Sequence, residues 1–128
     1  MKNEDLNLNC PSCGPLSAQM KETRGGSYRQ YDLILHDLME LERQGVMELF
    51  AGDCPLEDTD AVLASEQHYT VCHYLRCRNC GTIYFIGACI RGKPVYRRVE
   101  DLRKENLDTR LWGSCGTYFS ERRSAFLH

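Results

Sequence analysis

The sequence at residues 74–85 is Tyr-Leu-Arg-Cys-Arg-Asn-Cys-Gly-Thr-Ile-Tyr-Phe, and residues 10–15 are Cys-Pro-Ser-Cys-Gly-Pro. Both stretches contain Cys-x-x-Cys followed at once by glycine. Two residues between the thiolates allow both sulfurs to point at one metal ion, and the glycine can take the left-handed conformation that turns the chain beneath it. The two stretches therefore predict a tetrahedral four-thiolate site, formed by Cys10, Cys13, Cys77 and Cys80.

These two knuckles resemble those of the zinc ribbon class, including proteins with rubredoxin-like knuckles. The resemblance covers the knuckles and the hairpin built on the second, roughly a quarter of the chain at ordinary strand lengths. Cys13 and Cys77 are 64 positions apart, whereas compact zinc sites commonly separate their pairs by about 15–20 residues. A complete structural element is therefore expected between the knuckles. The resemblance implies one zinc ion and a local fold, but it implies no activity.

Four thiolates leave no coordination position for water, whereas a catalytic zinc usually has three protein ligands, often histidines. We therefore expect the zinc ion to stabilise the fold rather than to take part in a reaction. The other four cysteines lack paired spacing, and we expect them to be buried as small apolar side chains, with a second metal site as the alternative. They are Cys54, Cys72, Cys89 and Cys115.

The length of 128 residues fits one zinc-stabilised domain over 1–128. No apolar run approaches the roughly 18 residues that span a bilayer, and the first five residues, Met-Lys-Asn-Glu-Asp, lack the apolar core of a signal peptide. We therefore expect a cytoplasmic protein without a membrane partner. In that reducing compartment cysteines are thiols or metal ligands rather than disulfides.

An amphipathic helix is predicted over 27–45. Ser27 and Gln30 form a Ser-x-x-Gln capping pattern at its start, and Gly45 fits its C-terminal end. Apolar side chains follow at three- and four-residue spacing and would face a core: Tyr31, Ile34, Leu35, Leu38 and Leu41. The polar stretch between the first knuckle and Gly26 reads as a connector or a short strand.

An antiparallel sheet is predicted over 46–99. Aromatic and β-branched residues indicate strands at 46–50, 68–75, 82–90 and 95–99, of which the last three form a meander with the second knuckle at its first turn. In the C-terminal region, 100–128, we predict a short helix over 100–107, an aromatic segment packed on the sheet and a basic tail. The predicted fold class is therefore α+β, a zinc ribbon-like antiparallel sheet with one amphipathic helix inserted between the two zinc knuckles.

Six acids and no basic residue occur from Glu48 to Glu66. Their spacing does not match a calcium-binding loop, which needs ligands at alternate positions and a closing glutamate at its twelfth. We expect an acidic loop that is either a contact surface for a partner or a solvated turn. Its side chains are Asp53, Glu57, Asp58 and Asp60.

Basic residues cluster around the predicted hairpin, with Tyr74, Tyr84 and Tyr96 interleaved. Such a surface could meet phosphates and stack bases. The net charge of −2 argues against a protein whose whole surface is built for nucleic acid. The candidate anion contacts are Arg76, Arg78, Arg91, Lys93, Arg97 and Arg98.

The sequence supplies no persuasive catalytic set, and we assign no catalytic residue. Cys72 and His73 are adjacent in a predicted strand, so their side chains point to opposite faces and do not readily form a nucleophile and its base. A cysteine-dependent enzyme, with Cys72 or Cys54 as its reactive residue, is the least favoured of the three functions that we consider.

The features together favour a small soluble protein with a structural zinc site that binds another protein as an adaptor or regulator. Bacterial proteins of this build include toxin-neutralising partners. The second alternative is a nucleic-acid-binding zinc ribbon of the transcription or translation machinery.

Overall fold

Helices and an antiparallel sheet alternate along the chain in the computed structural model, which describes residues 10, 11, 13–20, 27–100 and 102–121. The predicted α+β class is correct in this general form. Most of the predicted basic tail, at 122–128, lies outside the described residues. Among the helices of the described part, none combines the length and the apolar character that a membrane span requires.

Helix α1 spans Gly14–Gln19, where the sequence predicted a connector or a short strand. That prediction is wrong because the polar composition hides one apolar pair. Leu16 and Met20 lie four positions apart, on the same side of a helix, and both are buried. Pro15 stands in the first turn, where its missing N–H costs no helical hydrogen bond.

Helix α2 spans Tyr28–Arg43 and fills most of the predicted 27–45 helix. The Ser27 hydroxyl accepts the Gln30 N–H at 3.1 Å, which confirms the predicted N-terminal cap. Gly45 has a φ of +82°, the left-handed geometry expected after a helix end. Leu41 packs against the core and is partly buried. The other four stripe residues are fully buried: Tyr31, Ile34, Leu35 and Leu38.

The sheet has four strands in the order β1-β2-β3-β4, and each pairs antiparallel with the next. The bounds are Met47–Gly52 for β1, Thr70–Cys77 for β2, Ile83–Cys89 for β3 and Val95–Val99 for β4. The predicted meander is therefore present, and β1 extends it by pairing with β2. The predicted strand at 68–75 begins later, because the His68 ring stacks on Trp112 at a centroid distance of 3.7 Å and residues 67–69 are bends.

A bulge in β1 distributes its side chains between two cores. The register with β2 shifts between Leu49 and Ala51, so Phe50 is an extra residue on its strand. Leu49 belongs to the cluster that α1 and α2 share with the sheet, whereas Phe50 and Ala51 belong to a second cluster with the C-terminal segment. The sheet therefore has a helical layer on one face and the C-terminal segment on the other.

The connection from β1 to β2 contains helical structure where an acidic loop was predicted. A 3₁₀ turn spans Leu56–Asp58, and helix α3 follows at Thr59–Ser65. Leu56 and Thr59 are buried, and the Thr59 hydroxyl donates to the Leu56 carbonyl at 2.7 Å. The loop prediction is wrong because these two buried residues fix the turn, while the acids between and after them face solvent.

The C-terminal segment packs on the sheet, as the aromatic residues predicted. A 3₁₀ turn spans Lys104–Asn106, helix α4 spans Leu107–Arg110, and residues 117–121 are helical. The short helix was predicted over 100–107, a few residues too early. Between these helices, Cys115 forms an antiparallel bridge with Gly52 at the end of β1. Leu107, Leu111 and Phe119 are buried in the second cluster.

Candidate metal centre

The four knuckle cysteines meet, although their two pairs are far apart in sequence. Their sulfur atoms all lie within 4.8 Å of one another. The Cys13 and Cys80 sulfurs are 3.5 Å apart, and those of Cys10 and Cys77 are 4.0 Å apart. A tetrahedral site with metal–sulfur bonds of about 2.3 Å has sulfurs about 3.8 Å apart. The four thiols are therefore positioned to hold a metal ion, and among the described residues no other group of three or more potential ligands is drawn together in this way.

The second knuckle is a tight turn between β2 and β3. Gly81 has a φ of +82°, as the sequence predicted, and its N–H donates to the Cys77 carbonyl at 2.8 Å. The Cys77 N–H donates in turn to the Thr82 carbonyl at 2.9 Å. The backbone N–H groups of Asn79 and Cys80 point at the Cys77 sulfur and hydrogen-bond to it. The turn therefore presents its amide donors to a sulfur, as a thiolate requires.

The first knuckle has a different backbone from the second. Gly14 is the first residue of α1 rather than a left-handed turn residue, so the two knuckles are not alike in the way their sequences suggested. The Gly14 N–H donates to the Cys10 carbonyl at 2.8 Å, and the Ser17 N–H donates to the Cys13 carbonyl at 2.9 Å. The helix, held to the core by its apolar pair, positions Cys13.

Hydrogen-bonding groups reach the remaining three sulfurs as well. The Asn79 side-chain amide donates to the Cys10 sulfur at 3.5 Å, and the Thr82 hydroxyl lies 3.1 Å from the Cys80 sulfur. The Tyr84 hydroxyl hydrogen-bonds with the Cys13 sulfur. Groups around the ligands that hydrogen-bond to them orient the ligands and tune a bound metal. Sequence reasoning missed Asn79, Thr82 and Tyr84, because only the closed turn and the sheet register bring them to the sulfurs.

Tyr84 also links the knuckles to each other through the core. Its hydroxyl lies 2.5 Å from the Ser17 hydroxyl of α1 and 3.5 Å from the Cys13 carbonyl oxygen. Ser17 and Tyr84 are both buried. A buried tyrosine on β3 therefore fixes the first knuckle against the strand that leaves the second.

Burial makes ionised thiols costly in this cluster unless a cation is present. Desolvation raises the pKa of the Cys13 thiol far above its usual range, and the hydrogen bond from Tyr84 offsets this in part. Burial likewise raises the pKa of Cys77, against the lowering effect of the Cys80 and Asn79 N–H groups. Metal binding requires deprotonated thiols, and the charge of the ion supplies what desolvation removes. The donor set thus fits a metal cation.

Of the four acids in the predicted acidic surface, one is buried and three are exposed. Asp53 is only 5% exposed, and its carboxylate is used inside the protein. Its Oδ2 accepts the Cys72 N–H at 2.8 Å, while Oδ1 accepts those of Trp112 at 2.8 Å and Gly113 at 3.0 Å. Asp53 therefore cannot be a contact residue for a partner. The three exposed acids are Glu57, Asp58 and Asp60.

Of the six predicted basic contacts, three lie near carboxylates and the other three are exposed. Arg76 forms an ion pair with Glu48 and lies over the Phe50 ring, and Arg78 is 3.8 Å from the same carboxylate. Arg98 lies 3.7 Å from Glu100. Three other basic side chains, which are exposed, are Arg91, Lys93 and Arg97.

The three tyrosines interleaved with the basic residues are buried. Tyr74 is 3% exposed, Tyr84 is not exposed, and Tyr96 is 2% exposed. Each packs within one of the two cores. They therefore offer no ring face to a nucleic-acid base.

Cys54 and Cys72 do not have the environment of activated nucleophiles. Burial, followed by the charge of Asp53, raises the pKa of Cys54 to about 11 and that of Cys72 to about 11. The Cys54 sulfur is 3.8 Å from His73 Nε2, but this nitrogen donates to the Cys54 carbonyl at 2.8 Å. A reactive thiolate needs a lowered pKa. Neither cysteine gains one here.

Comparison of the chain with protein-family models, with curated proteins and with solved structures found no match in any of the three.

Proposed function

We propose that this protein is a zinc-stabilised, zinc ribbon-like domain that acts as an adaptor or regulator by binding another protein. The whole chain, 1–128, forms the domain in this proposal, and the metal joins its N-terminal segment to the β2–β3 turn. Cytoplasmic conditions suit it because the four ligands must remain reduced. The observation that carries the proposal is the meeting of the four sulfurs within 4.8 Å.

Zinc is the metal that this donor set favours. Four thiolates in tetrahedral geometry select zinc or iron, and zinc occupies closed structural sites of this composition. The free energy of binding, roughly 10–16 kcal/mol for structural zinc in small domains, is comparable to the whole stability of such a fold. We therefore assign the ion a role in folding. The partner is bound by the surface of the folded domain and not by the ion.

Elemental analysis tests the metal. Protein purified without chelator is expected to contain one zinc ion per chain and to lack the visible absorption of an iron–thiolate centre. Replacement of Cys13 by serine should remove the metal and lower the melting temperature, whereas Cys89→Ser changes a cysteine outside the cluster and should leave the zinc content unchanged. Iron as the bound metal, or a metal-free protein of unchanged stability, would contradict the assignment.

The acidic surface supports binding to a protein with a basic face. Glu57 and Asp58 lie in the 3₁₀ turn after β1, and Asp60 follows in α3. The three are exposed within four positions. Such a patch steers an oppositely charged partner and sets specificity more than affinity. A toxin-neutralising partner is one form that this function takes.

The nucleic-acid alternative is supported less well by the structure than by the sequence pattern. Its stacking component depended on the three tyrosines, which are buried. Three of the six predicted contacts already pair with Glu48 or Glu100. We therefore favour the protein-binding function.

Charge reversal separates the two functions. The double variant Glu57→Lys, Asp58→Lys should abolish recovery of a stoichiometric protein partner from native lysate and retain zinc. The matched control Asp32→Lys, Glu121→Lys changes the same charge at two exposed positions elsewhere and should retain the partner. Equal recovery by both variants would contradict a role for this surface. Nucleic-acid affinity that falls steeply between low and moderate salt would instead support the alternative.

A further inference from the structure

A cavity of about 350 Å³ lies at the edge strand, away from the cysteine cluster. Residues of β4 and of the segment 102–110 line it, together with Tyr74 of β2. Four of the lining residues are arginines, and among the described side chains that line it Glu100 is the one acid. The arginines are Arg97, Arg98, Arg103 and Arg110.

Arg98 is the least exposed of these four arginines. Its side chain is 16% exposed, and its Nη2 lies 3.7 Å from the largely solvent-exposed Glu100 carboxylate. Its Nη1 is buried and has no hydrogen-bond partner among the described residues. A buried guanidinium donor without an acceptor is unfavourable, and most such groups in native proteins are satisfied by protein, water or ligand. An anion bound in the cavity would supply the acceptor that Arg98 Nη1 lacks.

Apart from Asn106, the remaining lining residues are aliphatic or aromatic. Tyr74 and Leu107 are buried, and Val99 and Leu102 pack against the same cluster. The volume lies within the roughly 300–1,000 Å³ typical of small-molecule sites, which combine apolar walls with a few polar groups. The ligand should therefore carry an organic body beside its anionic group.

We propose that this cavity binds the phosphate monoester group of a small organic molecule. A guanidinium fork matches phosphate oxygens in pairs, and the monoester carries close to two negative charges at neutral pH. Among the described side chains that line the cavity, four arginines stand against one acid, and this balance favours such a dianion over the single charge of an internal phosphodiester. The apolar wall formed by Val99, Leu102 and Leu107 contacts the organic body. The site is independent of the proposed partner surface on Glu57 and Asp58.

Calorimetric titration of the full chain with phenyl phosphate, inorganic phosphate and phenol tests the site. Phenyl phosphate is expected to bind with one-to-one stoichiometry. Inorganic phosphate should bind about tenfold or more weakly because it lacks the apolar body, and phenol should not bind measurably. Inorganic phosphate as tight as phenyl phosphate, or no saturable binding of phenyl phosphate, overturns the proposal.

Variants locate the binding in the cavity. Arg103 and Arg110 are exposed, so Arg103→Gln and Arg110→Gln should keep the melting temperature of the natural protein. Each should weaken phenyl phosphate binding by about tenfold or more, since each removes charge-assisted hydrogen bonds. Arg43→Gln removes the same charge from an exposed pair with Glu40 and should leave the affinity unchanged. Equal losses in all three variants would show general electrostatic attraction and overturn the site.

A competition experiment distinguishes a small ligand from the end of a nucleic-acid strand. Adenosine monophosphate should displace phenyl phosphate, and an oligonucleotide with a 5′-hydroxyl should not. Displacement by the 5′-hydroxyl oligonucleotide at equal concentration of strands would mean that internal phosphodiesters suffice, and the monoester proposal would be wrong.

Discussion

The Asp53 carboxylate accepts the backbone N–H of Trp112 at 2.8 Å and so joins two residues 59 positions apart. The same side chain accepts the N–H groups of Cys72 and Gly113. One buried carboxylate therefore fixes the end of β1 to β2 and to the C-terminal segment. Desolvation raises the pKa of Asp53, and the three N–H groups oppose this shift. An acid expected on the surface is thus part of the core.

Replacement of Asp53 by asparagine should destabilise the protein. The amide has one acceptor oxygen, so its NH₂ group would face at least one of the three backbone N–H donors. An unsatisfied buried donor costs about 1–3 kcal/mol of unfolding free energy. Urea denaturation measures the change, and Asp32→Asn, at an exposed position of α2, is the control. Equal denaturation midpoints for the two variants would show that the Asp53 hydrogen bonds contribute nothing.

The buried His73 should make stability depend on pH. Burial lowers its pKa to about 4, against a hydrogen bond to the Cys54 carbonyl that raises it. Because the unfolded histidine titrates near 6.5, the neutral folded form contributes stability that is fully present above about pH 6.5 and is lost as pH falls towards 4. The full difference is about 3 kcal/mol.

The variant His73→Gln isolates this dependence, since glutamine is uncharged and retains a donor. The difference in unfolding free energy between natural protein and variant should shrink progressively from pH 7 to pH 4.5. The raised pKa of Asp53 acts with the opposite sign, because its contribution is lost as pH rises, but it is present in both proteins and cancels. A difference that is constant across this range would contradict the assignment.

Gly113 permits a close backbone contact that no other residue would. A β-carbon built there would lie 2.0 Å from the Asp53 carbonyl oxygen. Since backbone must move to relieve this clash, Gly113→Ala should cost more than about 3 kcal/mol of unfolding free energy. Gly45→Ala is the control, because that position has a φ of +82° but nothing within 4 Å, and strain alone should cost about 1–2 kcal/mol. Chemical denaturation of the two variants tests this order, and a smaller loss at Gly113 would refute it.

The parts of the fold that the sequence predicted correctly depend on local pattern. Ser27 is recognised as a helix cap, and the apolar stripe of α2 is recognised by its helical spacing. The left-handed conformation of Gly81 follows from its position directly after Cys-x-x-Cys. The cluster of four sulfurs was also predictable, because two Cys-x-x-Cys-Gly stretches in one chain are typical of a shared metal site. Each of these signals is a short sequence pattern that can be recognised without knowing the tertiary contacts.

The missed parts depend on contacts distant in sequence. Helix α1 is stabilised by burying Leu16 and Met20, and its composition alone does not indicate a helix. Asp53 reads as one more acid in an acidic stretch until Trp112 and Gly113 supply its donors. Tyr84 lies on β3 near the basic residues of the hairpin, and only the packing of α1 over the sheet shows that it is buried. The conformation and burial of these residues depend on tertiary contacts, which the local sequence does not show.

Asn79 provides the last prediction, on the affinity of the metal centre. Its side-chain amide donates to the Cys10 sulfur, 69 positions away, at 3.5 Å. Removal of a group that orients a metal ligand typically weakens metal affinity about 10–100-fold. For Asn79→Ala we expect zinc affinity to fall by about tenfold, measured by competition with a chromophoric chelator. Arg78→Ala, in the same knuckle, is the control, because its exposed side chain reaches Glu48 at 3.8 Å. If both variants bound zinc as tightly as the natural protein, the Asn79 amide would have no role at the cluster, and its contact with the sulfur would be incidental.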